Sequence, residues 1–297
     1  MTRVVVFDSD DSSVHSDSEI STESRASSSS AHRRPLLSSP TTLFCDFDGP
    51  IVDVSERYYS TYQLGLAEIQ SFYRTAGISL PVRILSKEQF WRMKQERTPD
   101  VEIAMRSGLQ GQQSDHFLQR VTRIVNQPAL LHQDQLQPGV RWALALLQAQ
   151  GVRLVLVTLR CQTQATLMLQ SYGLGHVFSE IWGTQDSNAA YSNQSDHKTQ
   201  LLEKAIAHLS WENYLLADAW MIGDTEADVL AGKAMNIPTI AVTCGIRSHN
   251  YLQKLQPTRI HTDLLSAVHY LVNAGQTVEA GQTVNAGRPV EARNFGS

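Results

Sequence analysis

Asp46 and Asp48 stand at the end of a short apolar run, in the segment Asp46-Phe47-Asp48-Gly49-Pro50-Ile51-Val52-Asp53. Carboxylates at i and i+2 leave an extended strand on the same side. Two like charges at a buried strand end repel each other unless a cation stands between them and an anion, and Mg²⁺ prefers such oxygen ligands. Gly49 lets the backbone come close to that anion. A plain Asp-rich turn is the alternative for this segment alone. Three further signals follow along the chain. Thr158, a small hydroxyl able to bind a phosphate oxygen, ends a second apolar run. Lys198 opens a helical stretch, where an ammonium could neutralise a phosphoryl group. Gly223-Asp224-Thr225-Glu226-Ala227-Asp228 adds carboxylates after a further apolar run.

The elements that must carry these residues are five short apolar runs, Leu43 to Asp46, Arg153 to Thr158, Glu180 to Trp182, Trp220 to Gly223 and Thr239 to Val242. Several are continuous Val/Ile/Leu stretches without alternation, as in strands covered on both faces. Helical stretches separate them: Gly139 to Gln150, between Pro138 and Gly151, then Gln162 to Tyr172, Lys198 to His208 and Thr225 to Met235. Strands alternating with helices imply an α/β fold with a parallel sheet, whose ligands bind beyond the carboxyl ends of the strands. Residues 55–137 break the pattern. They read as helical over Glu56 to Thr75, Lys87 to Ser107 and Ser114 to Asn126, with no clear β run. This is too long for a loop in a compact domain and is expected to be a separate helical cap.

The order DxDG, Thr after an apolar strand, Lys, then GDxxxD resembles the four motifs of the haloacid dehalogenase superfamily, in its phosphoglycolate-phosphatase-like branch. Val229 to Ile237 also looks like that family's helix after the fourth motif. The resemblance implies a Rossmann-like parallel-sheet core of residues 41–54 and 138–273 with an inserted helical cap of residues 55–137. It implies a Mg²⁺-dependent phosphatase acting on a small phosphorylated metabolite through an aspartyl-phosphate. Asp46 would be the nucleophile. Asp48 would protonate the leaving oxygen and then activate water. Thr158 and nearby backbone at Gly49 and Leu159 would hold the phosphoryl oxygens, and Lys198 would offset charge. Asp46, the Asp48 backbone carbonyl, Asp224 and Asp228 would form the metal site. A carboxyl at position 48 points to hydrolysis, since dehalogenases of this superfamily lack an aspartate there and its pump ATPases carry threonine. Phosphonate hydrolases and sugar-phosphate mutases share the architecture; the former would need a cap lysine, Lys87 or Lys94, to form an imine. A non-catalytic binding protein is the third reading.

Pro50, where many relatives have Thr, and Leu159-Arg160, where Asn is frequent after the Thr, depart from the pattern. Arg160 reads either as a grip on an anionic substrate or as a surface arginine at a helix start. Lys204 is the substitute should the polar loop Asp186 to Ser195 misplace Lys198. Tyr58, Tyr59, Tyr62, Tyr73 and Trp91 read as cap core, and Cys45 as a buried strand residue.

The chain has 297 residues, 42% hydrophobic, with a net charge of −4 and no basic stripe that would suit nucleic acid. Three separated cysteines argue against a disulfide framework or zinc site. No run reaches the roughly 18 apolar residues of a membrane helix, and no secretory signal is seen, so a cytoplasmic protein without membrane partners is expected. Residues 1–40 are Ser-rich and expected to be disordered. Val4 to Asp10 mimics the first motif but lacks the Gly. Residues 274–297 contain three related six-residue units, Gly275 to Ala280, Gly281 to Ala286 and Gly287 to Ala292, expected to form a low-complexity tail.

Overall fold

The computed structural model describes residues 41–211 and 218–273. The Ser-rich segment, the Val4 to Asp10 run and the hexapeptide units lie outside the described residues. Eight strands occur among the described residues: β1 (Thr42–Cys45), β2 (Val52–Asp53), β3 (Gln135–Leu136), β4 (Arg153–Cys161), β5 (Glu180–Thr184), β6 (Ala219–Gly223), β7 (Thr239–Val242) and β8 (Arg259–His261). Six form one parallel sheet in the order β5-β4-β1-β6-β7-β8. β1 is flanked by β4 and β6, with Cys45 opposite both Leu156 and Ile222. Three of the four sequence motifs therefore leave adjacent central strands, where the carboxyl ends of a parallel sheet meet.

Alternate residues of the central strands enter opposite layers, as a strand's period of two dictates. Leu43, Cys45, Leu154 and Leu156 pack in one apolar cluster with Ala143, Leu147 and Val268. Phe44, Val155, Val157 and Met221 pack in another with Leu202, Ala205 and Leu209. The first layer is supplied by α6 (Val140–Ala149) and α12 (Leu264–Asn273), the second by α9 (Ser195–Trp211) and α10 (Glu226–Ala234). Both faces are covered, which is why these strands read as unbroken apolar runs.

Between β2 and β3 the chain builds the helical insertion: α1 (Ser55–Thr75), α2 (Lys87–Gln95), α3 (Asp100–Arg106), α4 (Gln112–Ile124) and α5 (Pro128–Leu131). Its interior is aromatic. Tyr62 stacks on Phe90 with centroids 4.8 Å apart and meets Phe117 edge-on at 6.2 Å. The fold is thus a Rossmann-like parallel sheet with a helical insertion between β2 and β3. The remaining helices are α7 (Gln162–Ser171), α8 (Ala189–Ser192) and α11 (His249–Lys254).

Four boundaries differ from the sequence reading. Lys87 to Ser107 is two helices, because Arg97 takes a left-handed φ of 59° and Pro99 begins a new turn. β4 runs through Thr158 to Cys161, with a register irregularity after Val157. The short pair β2–β3 lies at the root of the insertion, where two residues per strand leave no readable alternation. β8, an edge strand of three residues (Arg259, Ile260, His261), has no apolar run to betray it.

Candidate active site

A cavity of about 60 Å³ lies beyond the carboxyl ends of β1, β4 and β6, beneath the helical insertion. Asp46, Asp48, Thr158, Leu159, Arg160 and Asp224 line its floor, and Tyr58, Lys94, Arg97 and Asp100 come from the insertion. Asp46 follows β1 directly. Its N–H donates to the Ile222 carbonyl at 2.9 Å, so the backbone of the nucleophile candidate is still bound to the neighbouring strand. Its Oδ1 accepts the Phe47 N–H at 2.7 Å and lies 2.8 Å from Lys198 Nζ. Lys198 Nζ also lies 2.7 Å from Asp228 Oδ1. Lys198 is buried in the first turn of α9, while Lys204 is exposed, so Lys198 is the lysine that reaches the carboxylates.

Asp224 follows β6, and its Oδ2 accepts the Ile246 N–H at 2.6 Å. Its Oδ1 is buried without a hydrogen-bond partner. Two glycines make room for it. Gly49 has φ +96°, and a Cβ there would lie 2.2 Å from Asp224 Cγ; a Cβ on Gly245 would lie 1.9 Å from Asp224 Oδ2. Any side chain at either glycine would fill the cradle. Asp228 caps α10, its Oδ2 accepting the Thr225 N–H at 3.0 Å and the Thr225 hydroxyl at 2.8 Å. Asp46, Asp224 and Asp228 each offer an oxygen within 4.8 Å of the others.

The electrostatics follow from this crowding. Burial lifts the Asp46 carboxyl to about 7, with Lys198 working against it and Asp228 adding to it. Burial, then Asp228 and Asp46, push Asp224 well above the usual carboxylate range. Burial alone would depress Lys198, but Asp228 and Asp46 outweigh it and hold the ammonium charged. Three buried carboxylates with one ammonium, an unpartnered oxygen and a cradle no side chain can enter suit a small hard cation such as Mg²⁺.

Asp48 sits in a different setting. Its Oδ1 is 2.7 Å from Arg160 Nε and its Oδ2 is 3.3 Å from Arg57 Nη2. Burial would raise its pKa, but the Arg160 and Arg57 guanidiniums overcome that and hold it below the usual range. Arg160 is therefore no surface residue at a helix start. It lies within β4, is buried, and packs over the Phe47 ring at 5.1 Å. Thr158 is buried on the cavity wall, its Oγ1 accepting the Arg160 N–H at 3.1 Å.

Several cavity residues lie outside the four motifs. Tyr58 stacks on Tyr191 at 5.6 Å and faces the cavity, unlike Tyr59 and Tyr62, which pack inside the insertion. Lys94 is buried and 2.7 Å from Asp100 Oδ1, while the Tyr191 hydroxyl donates to Asp100 Oδ2 at 2.7 Å. Contacts also join the insertion to the core around the cavity. Arg247 Nη1 donates to the Lys94 carbonyl at 3.0 Å, the Ser248 N–H donates to the Gln95 carbonyl at 3.0 Å, and Arg97 Nε lies 2.7 Å from Glu226 Oε1. Such partners are scattered in sequence, and only the docking of α2 onto the core brings them together.

The family model for haloacid dehalogenase-like hydrolases matches residues 43–242. Among curated proteins, a phosphoglycolate phosphatase of Psychrobacter arcticus is 29% identical over 137 residues, covering 46% of this chain and 56% of its own length. A pyrophosphatase, PpaX, of Halalkalibacterium halodurans is 30% identical over 143 residues, covering 46% and 63%. The chain thus spans somewhat over half the length of these curated relatives. Among solved structures, a haloacid dehalogenase-like hydrolase from Streptococcus pneumoniae aligns with a TM-score of 0.56 at 22% identity, over 78% of this chain and 98% of that one. A subfamily IA hydrolase of the superfamily from Geobacter sulfurreducens aligns at 0.53 and 17% identity, over 81% and 99%. These structural likenesses bear on the fold, and the model match over two thirds of the chain carries the assignment: this protein belongs to the haloacid dehalogenase-like hydrolase family.

Proposed function

We propose that the protein is a Mg²⁺-dependent phosphatase that hydrolyses a small phosphorylated metabolite through an aspartyl-phosphate at Asp46. The observation that carries this reading is the Asp46 carboxylate beside Lys198, at a cavity also lined by Asp48, Thr158 and Asp224. Phosphatase names among the curated relatives support it.

Asp46, Asp224 and the Asp48 backbone carbonyl would hold the Mg²⁺, which when bound offsets the negative charge of the phosphoryl group and carboxylates. Asp228 belongs to the same acidic cluster, but its oxygens already serve Lys198 and the Thr225 cap, so its part is to brace them. Asp46 Oδ1 is engaged by Lys198 and the Phe47 N–H. Its Oδ2 is the oxygen left to attack phosphorus. The P–O bond to the leaving group breaks as the Asp46–phosphorus bond forms, and Asp48, ionised between Arg160 and Arg57 in the free protein, takes the proton of the bound phosphoester monoanion and passes it to the departing oxygen. Asp48, then a carboxylate, takes a proton from the water that attacks the aspartyl-phosphate, which frees phosphate and restores Asp46. Thr158, with the backbone of Gly49 and Leu159, holds the phosphoryl oxygens. Lys198 keeps Asp46 oriented and balances charge through both steps.

Residues 55–137 act as the cap, excluding water and choosing the substrate, with opening of the Arg97–Glu226 and Arg247–Lys94 contacts needed for entry. A cavity of about 60 Å³ suits a small molecule. A cytoplasmic setting accords with the free Cys45, Cys161 and Cys244. Among the described residues no helix is long and apolar enough to cross a membrane. The test is phosphate release from a panel of phosphorylated metabolites with and without Mg²⁺, beside Asp46→Asn. Release that needs Mg²⁺ and vanishes in the variant is expected; no release from any compound by folded protein overturns the reading.

One observation favours a second reading, phosphonate hydrolysis through an imine. Lys94 lies in the cavity, and its burial depresses its pKa despite Asp100, whereas Lys87 is exposed and paired with Glu56 at 2.6 Å. A nucleophilic amine needs such a depression. Borohydride trapping of phosphonoacetaldehyde on Lys94 would favour this reading; hydrolysis without any trapped adduct removes it.

A further inference from the structure

Asp48 is one corner of a closed ring of four charges. Asp134 Oδ1 lies 2.8 Å from Arg57 Nε and its Oδ2 lies 2.5 Å from Arg160 Nη2. The same two guanidiniums reach the two Asp48 oxygens from their other nitrogens. Arg57 is pinned further by Nη1, which donates to Asn126 Oδ1 at 2.7 Å and to the Val125 carbonyl at 3.3 Å. The side chains of Asp134, Arg57 and Arg160 are at most 2% exposed, whereas that of Asp48 is 18% exposed and faces the cavity. Asp134 and Arg57 do not line the cavity.

The ring also marks a place in the fold. The chain leaves the core through β2 and returns through β3, and Asp53 pairs with Gln135. Arg57 is on the first turn of α1 just after the exit, and Asp134 immediately precedes the return. A buried ion cluster is a poor route to stability, because desolvation offsets the attraction. Its strength is direction. A guanidinium is a rigid planar fork, and two forks locked on one carboxylate present a fixed pair of donors to the next. Without Asp134 the two guanidiniums would be adjacent like charges sharing Asp48 alone.

On the phosphatase reading of the site, we infer that Asp134 is a positioning residue: it locks Arg57 and Arg160 at the root of the cap so that the Asp48 carboxylate keeps one orientation through leaving-group protonation and water activation. Asp134 touches neither substrate nor reacting atoms and acts only through the two arginines.

The test compares wild type, Asp134→Asn and Arg160→Lys on an aryl phosphate and an alkyl phosphate in the presence of Mg²⁺. The variants Asp134→Asn, which keeps size but loses charge, and Arg160→Lys, which keeps charge but loses the fork, are matched to wild type by thermal melting. Phenolate leaves without help from an acid, so phosphorylation of Asp46 by the aryl ester survives a misplaced Asp48 while hydrolysis of the intermediate slows. A burst of phenolate equal to the enzyme concentration, a phosphoryl mass adduct on the protein, and kcat lowered by about tenfold or more with a larger loss on the alkyl ester are expected. Wild-type kcat on both esters in a folded variant, or a loss that only tracks the unfolded fraction, overturns the inference. If Asp134→Asn does not fold, Arg160→Lys decides by the same readouts. A wild type that releases no phosphate fails the phosphatase reading instead; the Asp48 position in a crystal structure of the folded variant then decides the positioning by itself.

Discussion

The two carboxylates of the first motif, two residues apart, stand in opposite electrostatic surroundings. Asp46 shares a buried cluster with Asp224 and Asp228, where three carboxylates face the single ammonium of Lys198. Asp48 belongs to a ring in which two carboxylates face two guanidiniums. The first cluster is left with excess negative charge and, at Asp224 Oδ1, a carboxyl oxygen with neither a hydrogen bond nor an ion pair, whereas Asp48 Oδ1 is paired with Arg160. The second is balanced by the chain itself. An unbalanced buried cluster is tolerable when something from outside completes it, whereas a balanced one needs nothing and can only orient its members. On the proposed mechanism, the cation would sit with the Asp46 cluster and the Asp48 side chain would serve proton transfer.

The sharpest way to break the comparison is at Asp46. Asp46→Asn keeps the shape and the Phe47 hydrogen bond but removes the proposed nucleophile, and phosphate release is expected to fall by roughly 10⁴-fold or more with the melting temperature preserved. Lys198→Met comes next. It strips the one ammonium from Asp46 and Asp228, so stability is expected to drop by about 3–5 kcal/mol in denaturant titration, alongside loss of turnover. Added Mg²⁺ should recover part of that loss, whereas it should not recover stability lost in a variant of the Asp48 ring.

The pH dependence sharpens the same contrast. The folded, cation-free protein holds the Asp46 carboxyl at about 7, above its unfolded value. A raised carboxyl pKa means the folded state binds the extra proton. Its contribution to stability is therefore present at low pH and is lost as pH rises from the unfolded carboxylate range towards 7. A cation competes with that proton, so Mg²⁺ should raise the melting temperature by several degrees at about pH 8 and by little at about pH 5.5. An equal Mg²⁺ shift at both pH values would show that the buried carboxylates are not its ligands. The smallest effect is expected at the surface. Lys87→Ala breaks an exposed pair with Glu56 and should change stability by less than about 1 kcal/mol without altering turnover.

The strands that carry the site are legible because both faces of the sheet are covered, so Leu43 to Cys45 and Leu154 to Val157 are apolar without interruption. The chemistry at their ends is legible because a carboxylate at the end of an apolar strand has few structural excuses. Asp46, Asp48, Thr158, Lys198, Asp224 and Asp228 accordingly converge as their spacing suggests. Arg160 could be read two ways, since a side chain just past an apparent strand end has no declared direction. The continuation of β4 to Cys161 turned it inward, onto Asp48. Lys94 and Lys87 were indistinguishable as helical lysines until α2 docked against the core with Lys94 beneath it and Lys87 outside.

By itself the sequence determined what short-range rules govern: the strand–helix alternation, the adjacency of Asp46 and Asp48, the Gly49 turn and the capping Asp228 on α10. Each depends on residues within a turn or a strand of one another, so local sterics and burial suffice. The tertiary structure alone decided the partners of Asp48. Asp134 lies 77 residues from Arg57 and 26 from Arg160. No periodicity links positions that far apart; only the pairing of β2 with β3 and the burial of the insertion's root bring their charges into contact.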